Sequence, residues 1–129
     1  MFTGVFSSYS VDDVEAAKQF YGQVLECELT EVMGGLHLGL PGNHRVFLYP
    51  KENHLPATYT VLNFEVTDID VAVDELSSRG VEFLRYPTLP GPQDERGVMR
   101  GRAAGDGPNI AWFKDPAGNI IAVIQEADI

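Results

Sequence analysis

The chain carries an internal repeat, and this repeat limits the folds it can adopt more than any other feature. The stretch Val11–Ala17 (VDDVEAA) resembles Val66–Ala72 (VTDIDVA), 55 positions later. A short β-prone run precedes each copy, and apolar residues at helical spacing follow it. Asp13 and Asp68 occupy equivalent positions, where a side-chain oxygen would cap the free N–H groups at the start of a helix. Two copies indicate a duplicated module, since a solenoid needs at least three.

Each predicted helix is followed by short apolar runs that are separated by turn residues. Gly34-Gly35 and Pro41-Gly42-Asn43 are typical of hairpin turns. The predicted strands are Val5–Tyr9, Glu28–Met33, Leu36–Leu40, Arg45–Tyr49, Tyr59–Glu65, Val81–Tyr86, Ile110–Phe113 and Ile120–Gln125. The Gly- and Pro-rich segment Pro87–Pro108 is either a functional loop such as a lid, a surface excursion, or the site of a short strand near Val98–Met99. The order βαβββ occurs twice, which predicts one α+β domain, residues 1–129, with modules at about 4–54 and 59–126.

The composition and charge of the chain exclude some classes of binding partner. The formal net charge is −10, which argues against nucleic acid and against anionic membrane surfaces, because phosphates are bound by Lys and Arg. The same charge permits a cationic small molecule, or it serves only to keep the protein soluble. We expect no membrane-spanning helix and no signal peptide, since no apolar run approaches the length of a span and the N-terminus lacks a basic region. A single cysteine, Cys27, excludes an internal disulfide and predicts a cytoplasmic protein.

The sequence resembles the vicinal oxygen chelate superfamily of glyoxalases, bleomycin-resistance proteins, fosfomycin-resistance enzymes and extradiol dioxygenases. The matching stretches are VDDVEAAKQFYGQVLE (Val11–Glu26), FEVTDIDVAVDELSSRGVEF (Phe64–Phe83) and FKDPAGNIIAVIQ (Phe113–Gln125). The DPxGN turn within the third stretch is the most specific part of the match. The resemblance implies two βαβββ modules that form an incomplete mixed β-barrel around a ligand cavity, the glyoxalase/bleomycin-resistance-like fold, and it implies a homodimer.

The metal-dependent members of that family hold their metal on residues of the first and last strands of each module. The resemblance places three of these positions at Phe6, Val61 and Ala122, and the fourth near Phe47–Tyr49. A divalent metal needs several nitrogen or oxygen donors, and none of these positions offers a strong one. We therefore expect no metal and no cofactor at this site.

The three histidines do not replace the missing ligands. His37 lies in a predicted strand, whereas His44 and His54 lie in predicted turns, and their spacing matches no compact ligand motif. Each is expected to be a surface or hydrogen-bonded residue. The acids beside Cys27 disfavour a thiolate, so this cysteine is not expected to be catalytic.

Strand alternation predicts which side chains face the cavity. The expected lining consists of Phe6, Ser8 and Ser10, then Val61, Asn63 and Glu65, then Trp112, Ala122 and Ile124. Phe6, Ser8, Val61, Asn63, Trp112, Ala122 and Ile124 are the predicted ligand contacts. The apolar lining is typical of a small-molecule pocket, or else bulky side chains fill the cavity. Glu65 is the candidate acid or base if it is buried, and it is merely solvated if the strand ends there.

Three hypotheses about function follow. The first is metal-free binding of a small molecule, aromatic or cationic, in the barrel. The second is a glyoxalase-type isomerase or lyase with a non-standard metal site or with acid–base chemistry at Glu65. The third is an accessory interaction module whose cavity is filled. The sequence does not decide between binding and catalysis, and it names no substrate.

Overall fold

The computed structural model describes residues 1–89, 93–105 and 107–125. The chain divides into two compact units. The first unit consists of Met1–Ala57 together with the turn Asp115–Asn119. The second consists of Thr58–Lys114 together with the segment that begins at Ile120. The predicted end of the second module at residue 126, and residues 90–92 and 106 of the predicted loop, lie outside the described residues.

The first unit contains one four-stranded mixed sheet and one helix. Its elements are β1 (Ser7–Val11), α1 (Val14–Gln19) with a π-helical continuation (Phe20–Val24), β2 (Glu28–Val32), β3 (Gly35–Leu40), a 3₁₀ turn (Pro41–Asn43) and β4 (His44–Pro50). The strand order is β1-β4-β3-β2. Strand β1 runs parallel to β4, and the other pairs are antiparallel.

The core of this unit lies between the sheet and the helical segment. The Asp13 side chain accepts a hydrogen bond from the Ala16 N–H and caps α1, as the sequence predicts. Leu36 and Leu38 of β3 pair with apolar residues of β4 and are fully buried, as is Tyr21 of the π-helical segment. A hydrogen bond between the Tyr9 and Tyr21 hydroxyls shows that the helical segment covers the face on which Tyr9 lies. Ser8 therefore lies on the opposite face, because neighbouring residues of a strand point to opposite sides.

The second unit repeats this arrangement. Its elements are β5 (Thr60–Glu65), α2 (Ile69–Ser78), β6 (Met99–Arg100), α3 (Gly101–Ala104), β7 (Asn109–Lys114) and β8 (Ile120–Gln125). The strand order is β5-β8-β7-β6, with β5 parallel to β8. Asp68 caps α2 by accepting from the Asp70 and Val71 N–H groups. The Gln125 side chain accepts a hydrogen bond from the Ile69 N–H, so α2 covers the face of β8 to which Gln125 and Val123 belong.

One predicted strand is wrong. Val81–Tyr86 forms a single isolated bridge, between Phe83 and Phe113. The Gln93 side chain takes the place of a neighbouring strand, because it accepts from the Tyr86 N–H at 2.7 Å and donates to the Leu84 carbonyl at 2.9 Å. The strand that completes the second module is the short β6, close to the strand predicted near Val98–Met99.

In the first unit, the start of β1 and the position of the β2–β3 turn differ slightly from the prediction. Strand β1 begins at Ser7, two residues later than the predicted Val5. The β2–β3 turn is Met33-Gly34, with φ of 50° and 77°, rather than Gly34-Gly35. Gly35 belongs to β3, where a Cβ would lie 2.3 Å from the Leu48 carbonyl oxygen, so only glycine fits.

The predicted fold class is confirmed. The chain is α+β, with two βαβββ modules and two open four-stranded mixed sheets. Within the described residues, no helix is long and apolar enough to cross a membrane.

Candidate functional site

The predicted ligand contacts of the second unit lie on one face of its sheet. Asn63 of β5 and Trp112 of β7 both pair with Ala122 of β8, so these three residues form a row across the sheet. Ile124 lies one pleat further along and pairs with Glu65. This face is opposite the one covered by α2, and we call it the second-sheet face. The predicted alternation of side chains along β5 and β8 is confirmed by this register.

The exposure of these residues varies along the row. Ala122 is fully buried, Trp112 and Ile124 are half-buried, and Asn63 is exposed. The Tyr86 ring meets the indole of Trp112 edge-on, with the ring centroids 5.4 Å apart. The face therefore combines a fixed aromatic pair with an exposed carboxamide.

The other two predicted residues of β5 are Val61, near its start, and Glu65, at its end. Val61 lies at a register shift between Thr60 and Leu62, so it has no direct partner on β8. Glu65 is exposed at the last residue of β5. The alternative of a solvated carboxylate at the strand end therefore describes Glu65, and a buried acid or base at this position is wrong.

The residues at the family's metal positions do not fit a metal. Ala122 offers only a methyl group, fully buried between Asn63 and Trp112. Val61 and Phe6 offer only hydrocarbon, which cannot coordinate a divalent ion. Among the described residues, no group of three or more His, Cys, Asp or Glu side chains is placed to hold a metal. Metal-dependent chemistry at these positions would need donors that these side chains do not have.

The predicted contacts of the first unit belong to the sheet face opposite α1, which we call the first-sheet face. Ser8 of β1 is exposed and pairs with Phe47 of β4. Phe6 precedes β1 and is 58% exposed. The guanidinium of Arg45 lies 5.8 Å from the centroid of the Phe6 ring and donates to the Val5 carbonyl. Phe6 thus packs against a cation at the surface.

A buried polar network surrounds the DPAGN turn. The Asp115 side chain, 4% exposed, accepts from the Ala117 and Asn119 N–H groups through Oδ1, and from the Tyr21 hydroxyl and the Asn119 amide through Oδ2. The Tyr21 hydroxyl donates its proton to Asp115 at 2.7 Å, so it accepts from Tyr9 at 2.8 Å. The carboxylate that identifies the turn in the sequence is therefore also the acceptor at the centre of a long-range network.

The buried tyrosines and Cys27 predict a loss of stability at high pH. Burial raises the pKa of Tyr21 and of Tyr9 above the ordinary tyrosine value, and it raises the pKa of Cys27 to about 11. Unfolded tyrosines ionise near pH ~10, so above that pH the unfolded state binds fewer protons than the folded state. The free energy of unfolding is therefore expected to fall as the pH rises above about 10, with the Cys27 contribution beginning near pH ~9.

Urea denaturation between neutral and strongly alkaline pH measures this slope. Tyr21→Phe removes one of the buried hydroxyls, so its slope should be shallower than that of the wild type. Cys27→Ala serves as the control for the thiol, since it should flatten only the earlier part of the curve. A wild-type stability that stays constant over this range would contradict the prediction.

His54 is hydrogen-bonded at both ring nitrogens. Its Nδ1 lies 2.6 Å from the Ser10 hydroxyl, and its Nε2 lies 2.9 Å from the Ala117 carbonyl oxygen. His37 lies in β3, as predicted, whereas His44 is exposed at the first residue of β4 rather than in a turn. The expectation of a hydrogen-bonded role is confirmed for His54.

Ion pairs hold the described part of the segment after α2. Arg96 and Arg100 both contact Asp70 of α2, and Arg100 also reaches Asp94 at 2.9 Å. The hydrogen bond from Arg100 holds the pKa of Asp70 below its ordinary value. Burial alone would raise the pKa of Asp94, but hydrogen bonds from the Val98 N–H and from Arg100 lower it. These charges serve to attach the segment to α2.

Two side-chain contacts of the first unit that the sequence did not predict are long-range. Ser10 and His54 are 44 residues apart, and Tyr21 and Asp115 are 94 apart. No local motif links the members of either pair. The only available signal was the polar character of the residues, since polar groups that become buried require partners.

Comparisons with known proteins agree with the fold. The model of the Glyoxalase/Bleomycin resistance protein/Dioxygenase superfamily matches residues 6–123. No curated protein matches the chain. A member of the same superfamily from Sphaerobacter thermophilus is 26% identical, with 96% of this chain and 98% of that chain covered and a TM-score of 0.65.

Two further solved structures share the fold at lower identity. TnmS3, an antibiotic binding protein from a Streptomyces species, is 22% identical, with 98% and 99% of the two chains covered and a TM-score of 0.65. The genomically encoded fosfomycin resistance protein FosX from Listeria monocytogenes is 14% identical, with 98% and 96% covered and a TM-score of 0.69. The resemblance found in the sequence is thereby confirmed. Because the family model covers most of the chain, the protein belongs to the Glyoxalase/Bleomycin resistance protein/Dioxygenase superfamily.

Proposed function

We propose that the protein binds an aromatic small molecule without a metal, on the second-sheet face. The observation that carries this proposal is the row of Asn63, Ala122 and Trp112. The half-exposed indole of Trp112, which lies beside the buried Ala122 methyl group, offers a flat apolar surface that suits stacking against a planar ligand. The exposed carboxamide of Asn63 supplies one donor and one acceptor for orientation.

Charge favours a ligand that is neutral or cationic. The exposed Glu65 carboxylate ends the strand that carries Asn63, and the chain as a whole has a formal net charge of −10. An anionic ligand would be repelled by this field, whereas a cation would be attracted. Binding of a small molecule is also supported by the structural neighbour TnmS3, which is described as an antibiotic binding protein. On the first unit, Phe6 and Ser8 stay proposed ligand contacts of the first-sheet face.

Tryptophan fluorescence gives a direct measurement of binding. Trp112 is the single tryptophan of the chain, so a change in its emission reports on the second-sheet face. We expect proflavine, a planar aromatic cation, to quench this emission saturably. We expect the anionic dye anilinonaphthalene sulfonate to bind more weakly, and added EDTA to leave both titrations unchanged.

Calorimetry with variants locates the site. Trp112→Leu should weaken proflavine binding by about 5-fold to 10-fold, since an aromatic contact contributes on the order of 1 kcal/mol beyond its buried area. Phe20→Leu is the matched control, because it removes a half-buried aromatic ring from the π-helical segment of the first unit, and it should leave the affinity unchanged. Equal losses in the two variants, or binding that EDTA abolishes, would contradict the proposal.

The enzymatic and accessory alternatives are outcomes of the same experiments. A tightly bound stoichiometric metal in elemental analysis would favour the isomerase or lyase. The absence of saturable binding for both dyes would favour the accessory module. We also propose a homodimer, on the family resemblance alone, and sedimentation equilibrium would test it.

A further inference from the structure

A serine and a histidine of the first unit form a short hydrogen bond. Ser10 Oγ lies 2.6 Å from His54 Nδ1, and both residues are half-buried. His54 Nε2 lies 2.9 Å from the carbonyl oxygen of Ala117. A carbonyl oxygen has no proton to give, so Nε2 carries the proton and donates it to Ala117. In the neutral ring, Nδ1 is then the acceptor and takes the hydrogen bond from the Ser10 hydroxyl.

This tautomer is the one that a general base requires. A nucleophile needs a base within hydrogen-bond distance, and the base needs a third group that fixes its orientation. Ser10, His54 and the Ala117 carbonyl occupy these three roles. The carbonyl orients the ring as a carboxylate would, but it stabilises the imidazolium less because it carries no full negative charge. The arrangement therefore suits a slow reaction with a good leaving group.

Hydrogen bonds fix the backbone at Ser10, at His54 and in the turn that contains Ala117. The Ser10 carbonyl accepts from the Asn119 amide at 2.9 Å, and Ser10 pairs with Tyr49 of β4. The His54 N–H donates to the Lys51 carbonyl at 3.0 Å. The turn that contains Ala117 is fixed by Asp115, whose Oδ1 accepts from the Ala117 N–H. The three groups are therefore positioned before any ligand arrives, which lowers the entropic cost of a reaction.

An aromatic surface lies beside the serine on the same face of the sheet. The rings of Phe47 and Tyr49 are stacked, with centroids 6.3 Å apart and planes at 21°. Tyr49 is the direct strand partner of Ser10, so a planar group placed against these rings lies next to the Ser10 hydroxyl. The stacked rings of Phe47 and Tyr49 therefore favour binding of a substrate that has an aryl group close to the reacting carbonyl.

We propose that Ser10 is a nucleophile activated by His54, and that it accepts acyl groups from aryl esters. Ser10 Oγ attacks the ester carbonyl carbon while its proton passes to His54 Nδ1. The bond between that carbon and the aryloxy oxygen breaks, and the leaving phenolate takes the proton from His54. Water then attacks the acylated Ser10, with His54 again accepting the proton, and the carboxylic acid leaves as Ser10 regains its hydrogen. This activity is independent of ligand binding on the second-sheet face.

A fluorophosphonate probe and p-nitrophenyl acetate test the proposal. Intact-mass spectrometry should find one fluorophosphonate adduct per chain, and peptide mapping should locate it at Ser10. Ser10→Ala should abolish the adduct and the release of p-nitrophenol. His54→Asn should slow labelling by about 100-fold, the usual contribution of a general base. Ser7→Ala is the matched control, since Ser7 lies on the same strand but on its opposite face, and it should label at the wild-type rate.

A second pair of variants removes the ambiguity of a misfolded His54→Asn protein. In Ser10→Cys the thiol would lie beside His54, whereas in Ser8→Cys it would be exposed without that base. We expect Ser10→Cys to react with iodoacetamide faster than Ser8→Cys, despite its lower exposure, because a neighbouring imidazole promotes the thiolate. The native Cys27 adds little background, since burial raises its pKa to about 11. A faster reaction of Ser8→Cys, or fluorophosphonate labelling away from Ser10, would overturn the proposal.

Discussion

Replacing Asp115 by alanine is expected to lower the free energy of unfolding by about 3–5 kcal/mol, because it removes the acceptor at the centre of a buried network. The carboxylate accepts four hydrogen bonds, and two of their donors, the Tyr21 hydroxyl and the Asn119 amide, are themselves buried. In the variant each of these buried donors loses its hydrogen bond to the carboxylate, and no water replaces it. Urea denaturation followed by circular dichroism measures the loss.

Asp68→Ala is the matched control for Asp115. Asp68 also accepts two backbone N–H groups, but it lies at the exposed N-terminus of α2. Its replacement should cost about 1 kcal/mol, the usual value for a helix cap. Losses of equal size in the two variants would show that burial of the Asp115 network contributes nothing. The Tyr21→Phe and Asp115→Ala changes should also be non-additive, since both remove the same hydrogen bond.

The repeat made much of the fold predictable, because each of its signals is local. Asp13 and Asp68 cap the two helices since a cap needs only the three residues that follow it. The row of Asn63, Ala122 and Trp112 followed from the two-residue period of a strand. Family resemblance supplied what periodicity could not, namely that the two βαβββ modules form the glyoxalase/bleomycin-resistance-like fold.

Two departures from the predicted strand pattern have causes that the local sequence does not show. The run Val81–Tyr86 has the composition of a strand, but the Gln93 side chain, and not a neighbouring strand, bonds the Tyr86 N–H and the Leu84 carbonyl. Val61 has the expected alternation, but the register shift next to it removes its partner on β8. Neither the hydrogen bonds of Gln93 nor the register shift at Val61 can be recognised from composition or from residue spacing.

The candidate site on the first unit was only half predictable. Ser10 was grouped correctly with Ser8 on one face of β1, because alternation along a strand fixes which residues share a face. His54 was expected to be either a surface residue or a hydrogen-bonded one, but its partner could not be named, since the loop that carries it has no periodicity. The DPAGN turn was recognised from its own residues, yet the role of Asp115 depends on Tyr21, 94 residues away. Pairs of this kind are set by the tertiary fold alone.

Restoring a metal ligand at Ala122 is expected to destabilise the protein rather than to create a metal site. Ala122→Glu would place a carboxylate where the side chain is 0% exposed, between Asn63 and Trp112. No cation lies among these partners, so the charge would be desolvated without compensation, and the free energy of unfolding should fall by about 3–5 kcal/mol at neutral pH. Divalent nickel or zinc should not restore the lost free energy of unfolding, since Val61 and Phe6 provide no further donors.

The pH dependence separates the cost of the charge from the cost of the added volume. Burial would raise the pKa of the introduced carboxyl above its unfolded value of about 4.3, so the penalty should be largest at neutral pH. The penalty should shrink as the pH falls, and below about pH 4 both states are protonated and only the packing cost is left. Ala122→Gln is the matched control, because its side chain has nearly the same volume but no charge, and its loss of stability should not change with pH. A variant with glutamate that is as stable as the glutamine variant at neutral pH, or that gains stability from added nickel, would show that this position still accommodates the family's metal chemistry.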